Sequence, residues 1–165
     1  MTADKWKVMS TSDKKTLKTV CDEIDSALKG ESGIRLDPEY QRDYKFTQKD
    51  ESMLIESILM GIPLPIIYLS SDTRSVPHVA NIIDGQHRLR ALYRYLKNEF
   101  CLKGVEFQNQ LLFQSSLTFK NIHVQDNAEL EMEIFKRYNI GTHPLSQQEI
   151  RHAVYRSEFN IWLNR

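Results

Sequence analysis

The part of this chain best equipped for chemistry is an apolar run that ends in an acid, a glycine and a row of polar side chains: Asn81-Ile-Ile-Asp-Gly-Gln-His-Arg-Leu-Arg-Ala-Leu92. It reads as a strand that passes at Asp84-Gly85 directly into a helix. Leu89, Leu92, Tyr93 and Leu96 recur at helical spacing and mark the buried face, while Arg90, Arg94 and Lys97 mark the opposite one. The first amides of such a helix, at Gly85, Gln86 and His87, have no acceptor inside it and lie at the positive end of its dipole. Gly85 lets a ligand approach the backbone, and Arg88 supplies a forked donor, so the turn suits a phosphate or a carboxylate. Asp84 would repel that anion unless it binds a metal, a hydroxyl or a base edge, which points to positioning a metal or water rather than simple binding. The plain alternative is that Asp84 caps the helix and pairs with Arg88 one turn later. His87 alone says little, because a single histidine at a helix start is usually just surface.

Two weaker constellations stand on either side. Tyr40-Gln-Arg-Asp-Tyr44 places aromatics beside Gln41 and Arg42 in a loop after Pro38, suited to stacking on a base or to anchoring the loop. Asn139, before Ile140-Gly141, puts an amide at a helix end, where it serves as a C-cap or as a ligand. The chain has no Gly-x-Gly-x-x-Gly, P-loop, His-Glu-x-x-His or Gly-x-Ser-x-Gly pattern. Those absences remove standard dinucleotide enzymes, P-loop ATPases, zincins and typical serine hydrolases. Cys21 and Cys101 have no zinc spacing and read as thiols of a reducing compartment rather than as a disulfide. The opening residues lack the apolar stretch of a secretory signal, and no run approaches the length of a membrane helix. The expectation is a cytoplasmic chain without a membrane span and without a protein-held metal site.

The elements that must position these residues are legible in outline. A helix is expected near 12–29, ended by Gly30, then a short strand at Ile34–Leu36. A second helix runs from a Thr47 cap to Met60 and stops at Gly61. Apolar runs at Ile66–Leu69 and Val79–Ile83 are strands, and the Gly85 helix reaches about Asn98. Ile122–Val124 is a further strand candidate and Asn127–Tyr138 a helix. A last helix starts at Ser146, where Ser146-Gln-Gln-Glu149 has the form of a capping box. Strands and helices mix without strict alternation, so the fold class is α+β, with a small mixed sheet flanked by several helices.

At 165 residues the chain is long enough for one packed domain, and 22 Lys+Arg balance 22 Asp+Glu. Such a chain does not coat a polyanion with its whole surface. The balance is uneven along the sequence, with ten acids and five bases in residues 21–60 and five bases and two acids in each of 84–103 and 136–165. The expected arrangement is separate charged faces, one of them able to meet phosphates.

Three segments in this order resemble a known family: Leu36-Asp-Pro-Glu-Tyr-Gln-Arg-Asp-Tyr-Lys-Phe46, Ile82-Ile-Asp-Gly-Gln-His-Arg-Leu-Arg-Ala-Leu92, and Ile134-Phe-Lys-Arg-Tyr-Asn-Ile-Gly-Thr-His-Pro-Leu-Ser-Gln-Gln-Glu-Ile-Arg151. Together with Leu54-Ile-Glu-Ser-Ile-Leu-Met-Gly-Ile-Pro63, they look like the N-terminal domain of GmrSD-type restriction endonucleases and their anti-phage relatives. The resemblance implies a ParB/sulfiredoxin-like fold whose Asp-Gly-Gln-x-Arg turn binds, and in several members hydrolyses, a nucleoside triphosphate. Carried over, Asp84, Gly85, Gln86 and Arg88 match that turn, Gln41 and Arg42 the Gln-Arg of the first motif, and Asn139 the Asn of the third. These and His87 are the expected nucleotide-binding residues, Asp84, Gln86 and Arg88 the expected catalytic ones, and Asp84 is the one obvious ligand for a magnesium ion. The resemblance further implies DNA as a partner, along with a C-terminal nuclease domain or a separate nuclease subunit; a homo-oligomer is compatible. His87 stands where the family more often has glutamine, and Phe46 where it commonly has tryptophan. The chain leaves no room for an HNH-type domain after the third motif. Residues 1–32 are read as an N-terminal helical extension and 33–165 as the motif-bearing domain, truncated before any C-terminal one. The alternative is a non-catalytic DNA-binding or protein-interaction module of the same fold, with Arg90, Arg94 and Lys97 tracking phosphates.

Overall fold

The computed structural model describes residues 8–36, 44–71, 76–102, 113–124 and 127–139. In chain order the elements are β1 (Met9–Thr16), α1 (Leu17–Leu28), β2 (Gly33–Arg35), α2 (Gln48–Leu59), β3 (Ile67–Ser71), β4 (Val79–Asp84), α3 (Gln86–Leu96), β5 (Ser116–His123) and α4 (Ala128–Asn139). The strands form one five-stranded sheet in the order β1-β5-β3-β4-β2. β1 and β5 are antiparallel, β5 and β3 parallel, β3 and β4 antiparallel, β4 and β2 parallel. A mixed sheet with four helices is the expected α+β class.

Sequence logic explains most of the helices. In α1 the buried residues Leu17, Val20, Cys21 and Ile24 recur at three-to-four spacing, and the Thr16 hydroxyl accepts from Thr19 N–H at 3.2 Å. α2 opens on a capping box. Asp50 N–H donates to the Thr47 hydroxyl at 3.2 Å, and Thr47 N–H donates to the Asp50 carboxylate at 2.9 Å. Beyond α2, Gly61 turns the chain with φ +74°, as the Gly-x-Pro sequence suggested.

The expected start of the first helix at residue 12 is corrected. Residues 9–16 are a strand paired with β5 along its whole length, from Met9↔His123 to Thr16↔Ser116. Ser10-Thr-Ser-Asp-Lys-Lys-Thr16 carries no apolar period of either kind, so pairing with β5 decides its state and Thr16 becomes the helix cap. β1 is thus an edge strand of the sheet rather than part of a helical extension. β5 in turn is longer than the Ile122–Val124 candidate.

The core lies on one face of the sheet, where Ile34, Ile67, Leu69, Ile82, Leu117 and Phe119 meet α1, α2 and α3. α4 covers the other face through Ile134, packed with Ile83, Ile122 and Val124. A polar contact is buried there as well: the Ser70 hydroxyl donates to Glu131, and Asn81 Nδ2 donates to the same carboxylate at 3.1 Å. Both cysteines are free thiols, and burial pushes the Cys21 thiol's pKa up. Among the described residues no helix is long and apolar enough to cross a membrane. The expected helix from Ser146 and the Gly141–Pro144 loop lie outside the described residues.

Candidate functional site

β4 delivers Asp84 to the end of the sheet, and Gly85 turns the chain into α3 with φ +107° and ψ 11°. That left-handed conformation favours glycine, and the space does too. A Cβ there would lie 3.0 and 3.1 Å from the Cγ1 and Cγ2 atoms of buried Ile67. The helical ladder begins with Leu89 N–H donating to the Gly85 carbonyl at 3.0 Å, so the amides of Gln86, His87 and Arg88 have no acceptor within the helix. No side chain caps α3, so the reading of Asp84 as an N-cap does not apply. The other half of that reading does: Arg88 Nη2 lies 3.4 Å from Asp84 Oδ2.

Arg88 is held from a second side, with Nη1 donating to the Pro65 carbonyl at 2.5 Å. Its side chain is 16% exposed, against 42% for Asp84. Burial lowers the pKa of this guanidinium and the Asp84 charge opposes that, yet arginine stays protonated throughout the ordinary range. Gln86 is buried at 4% exposure.

Two aromatic groups flank the turn. On one side His87 stacks on Tyr44, with ring centroids 5.6 Å apart and planes at 17°, and lies 5.3 Å from Phe46. The Tyr44 hydroxyl and Arg94 Nη1 both donate to Glu51, a carboxylate only 3% exposed. Burial and then the Glu51 hydrogen bond push the Tyr44 phenol's pKa up. The guanidiniums of Arg90 and Arg94 lie over the same Tyr44 ring at 5.4 and 5.7 Å. Of the two roles open to the first-motif aromatics, Tyr44 therefore takes the anchoring one. It pins the chain just after Gln41 and Arg42, which themselves lie outside the described residues.

On the other side β3 and β4 pair with a bulge, so that Tyr68 is opposite Asp84 while Leu69 is opposite Ile82. The extra residue, Ile83, re-aims the end of β4 and sets Asp84 beside Tyr68. The Tyr68 ring lies 4.3 Å from that of Tyr138 near the end of α4. Burial, the neighbouring Tyr68 phenol and the Asp84 charge, in that order, push the Tyr138 phenol's pKa up. Asn139 is the last residue of α4; its side chain lies outside the described residues. Three parts of the chain far apart in sequence thus meet around one strand-to-helix turn, in the order of the three motifs. The family model described as GmrSD restriction endonuclease, N-terminal domain, matches residues 23–156. The chain belongs to this family. No curated protein and no solved structure matches it.

In this GmrSD N-terminal domain the match begins inside α1 and takes in the Asp84 turn and α4, which makes the chain a domain of a restriction system. The expected basic stripe on α3 is largely engaged by acids. Lys97 Nζ contacts Asp25 at 2.7 Å, and Arg94 contacts Glu51 and, at 3.0 Å, Glu99. Tyr93 also donates to Asp25, at 2.6 Å. Beside this contact a cavity of about 520 Å³ is lined by Arg35, Leu36, Tyr44, Arg90 and Tyr93, among others. Burial and the nearby Arg94 charge lower the pKa of the Arg90 guanidinium. Among the described residues no three His, Cys, Asp or Glu side chains cluster as a metal site, and Asp84 is the single carboxylate at the turn.

Sequence reasoning singled out Asp84, Gly85 and Arg88, which the structure brings together at the turn, but not Pro65, Tyr68 or Tyr138, which lie beside them. Tyr138 adjoins Asn139 in the third motif, which was a usable signal. Nothing local marks the Pro65 carbonyl or Tyr68.

Proposed function

We propose that this domain binds a nucleoside triphosphate at the β4–α3 turn and hydrolyses it, coupling turnover to DNA recognition within its restriction system. The observation that carries the reading is the Gly85–Arg88 geometry. A turn that favours glycine opens a helix whose first amides have no acceptor within the helix, with a largely buried guanidinium at the same spot. In this reading Arg88, Arg42 and the helix amides hold phosphate oxygens and stabilise developing charge, while Gln41 from the first motif and Asn139 from the third contact other parts of the nucleotide. Asp84, partly exposed beside them, positions an attacking water or a magnesium ion. One carboxylate fits magnesium only as it arrives with a triphosphate, whose oxygens and bound waters complete the shell. Gln86 was expected to be catalytic. At 4% exposure it is better placed to support the turn from beneath.

Isothermal titration with the four ribonucleoside triphosphates, together with phosphate release, tests this on the wild type, Arg88→Ala and Asp84→Ala. Binding by the wild type that is lost in Arg88→Ala supports it. No binding of any of the four, or an Arg88→Ala protein indistinguishable from wild type, would falsify it.

A second reading, a DNA-contacting module without catalysis, is favoured by the cavity that gathers Arg35 and Arg90 beside an apolar floor. It requires DNA affinity that falls steeply with salt, with a log–log slope of about −0.9 per neutralised phosphate. A slope near zero removes it.

A further inference from the structure

Resting on the nucleotide reading above, we infer that Tyr68 and Tyr138 form the platform on which the base of the bound nucleotide lies. The two aromatic groups at the turn are not equivalent. On the Tyr44 side the ring is already engaged by His87, Arg90 and Arg94. On the opposite side Tyr138 remains 38% exposed, with its ring tilted 36° to that of Tyr68. An aromatic face that is still accessible beside a phosphate site is what a nucleobase needs, because every base offers a π-face of its own.

The order of residues along the turn fixes which end of the ligand goes where. Tyr68 is directly opposite Asp84, and a single residue, Gly85, then separates Asp84 from the first turn of α3. The Asp84 carboxylate repels phosphate from the Tyr68 side, while the α3 amides and Arg88 attract it. The phosphates therefore point to α3 and the base to α4. The turn lies at the carboxyl end of β4, with α3 and α4 on opposite faces of the sheet, a position where open sheets commonly take ligands.

Comparing ATP with inorganic tripolyphosphate separates the two halves of the ligand. Tyr138→Ala weakens ATP about tenfold, the ordinary worth of one stacked base, and leaves tripolyphosphate unchanged. Tyr138→Phe and Tyr138→Trp retain ATP binding. The unsubstituted protein gives saturation transfer from tyrosine ring protons to adenine H2 and H8, a readout that does not depend on any variant folding. Loss of both ligands in equal measure, loss of neither, or absence of that transfer overturns the platform while leaving phosphate binding at the turn intact. If the wild type binds neither ligand, the nucleotide reading falls and the platform falls with it.

Discussion

Replacing Gly85 with alanine tests the geometry of the turn through stability alone, with no ligand in the measurement. Two costs add. A side chain forced to φ +107° carries backbone strain of about 1–3 kcal/mol. The new Cβ also meets Ile67 at 3.0 and 3.1 Å. Ile67 is fully buried and registered opposite Phe119, so its methyl groups cannot retreat without disturbing the sheet; overpacking of this kind costs about 1–3 kcal/mol. The Cβ distance to Arg88 Nη2, 3.4 Å, is an ordinary contact, so the arginine is not what gives way. The expected loss is roughly 2–6 kcal/mol, a large share of the stability of a small domain. Gly61 supplies the control. Its φ is +74° and nothing lies within 4 Å of its Cβ, so Gly61→Ala pays the strain alone. Urea unfolding followed by circular dichroism should give Gly85→Ala a loss about 1 kcal/mol or more beyond that of Gly61→Ala, at unchanged m-value. Equal losses for the two variants would refute the close packing of Gly85 on Ile67.

Glu51→Ala removes a buried carboxylate that holds both the Tyr44 phenol and Arg94. Breaking a fully buried pair costs about 3–5 kcal/mol; because Arg94 keeps Glu99, the expected loss is nearer 2–3 kcal/mol, read by thermal unfolding. Asp25 is lowered below the ordinary aspartate pKa, first by the Lys97 hydrogen bond and then by that of Tyr93. Since its folded pKa lies below its unfolded one, its contribution is complete above the unfolded pKa of about 3.9 and is lost as pH falls through the folded value. The stability gap between wild type and Asp25→Asn should thus be flat from neutral pH down to about 5 and close below about 4; a gap that opens on acidification contradicts the pairing. For DNA, Lys97→Ala should change the salt slope by well under one phosphate because Lys97 is tied to Asp25. Arg35→Ala should lower it by about 0.9, measured by fluorescence anisotropy.

What the sequence disclosed depended on how local each signal was. α2 was legible because its cap, its apolar period and its Gly61 stop all lie within fifteen residues and agree. The Asp84–Arg88 turn was legible for the same reason. β1 was not, since its state is set by β5, about a hundred residues away. Tyr44 was recognised as part of a loop, but its anchoring role needs Glu51 on one element and His87 on another. Tyr68 and Tyr138 are seventy residues apart, and a bulge places the first beside Asp84; neither period nor motif encodes that contact.

Charge shows the same limit in its sharpest form. The acidic 21–60 stretch and the basic 84–103 stretch were expected to form separate faces, one of them open to phosphates. In the fold the two stretches instead meet: α1 brings Asp25 to Lys97, and α2 brings Glu51 to Arg94. Much of the zero net charge is therefore cancelled locally, between the helices that pack the core. An incoming phosphate at that flank has to compete with contacts of 2.7 Å for Lys97 and 3.0 Å for the Arg94–Glu99 pair. At the turn it competes with the Arg88–Asp84 contact at 3.4 Å and with the Pro65 carbonyl, to which the same guanidinium donates at 2.5 Å. Coulomb attraction falls with distance and a phosphate accepts a guanidinium fork in good geometry, so at Arg88 a phosphate displaces a looser carboxylate contact than at Lys97 or Arg94, while Nη1 stays on Pro65. The arginine that sequence chemistry picked out thus has a looser carboxylate contact than either Lys97 or Arg94 on the basic stripe of the same helix.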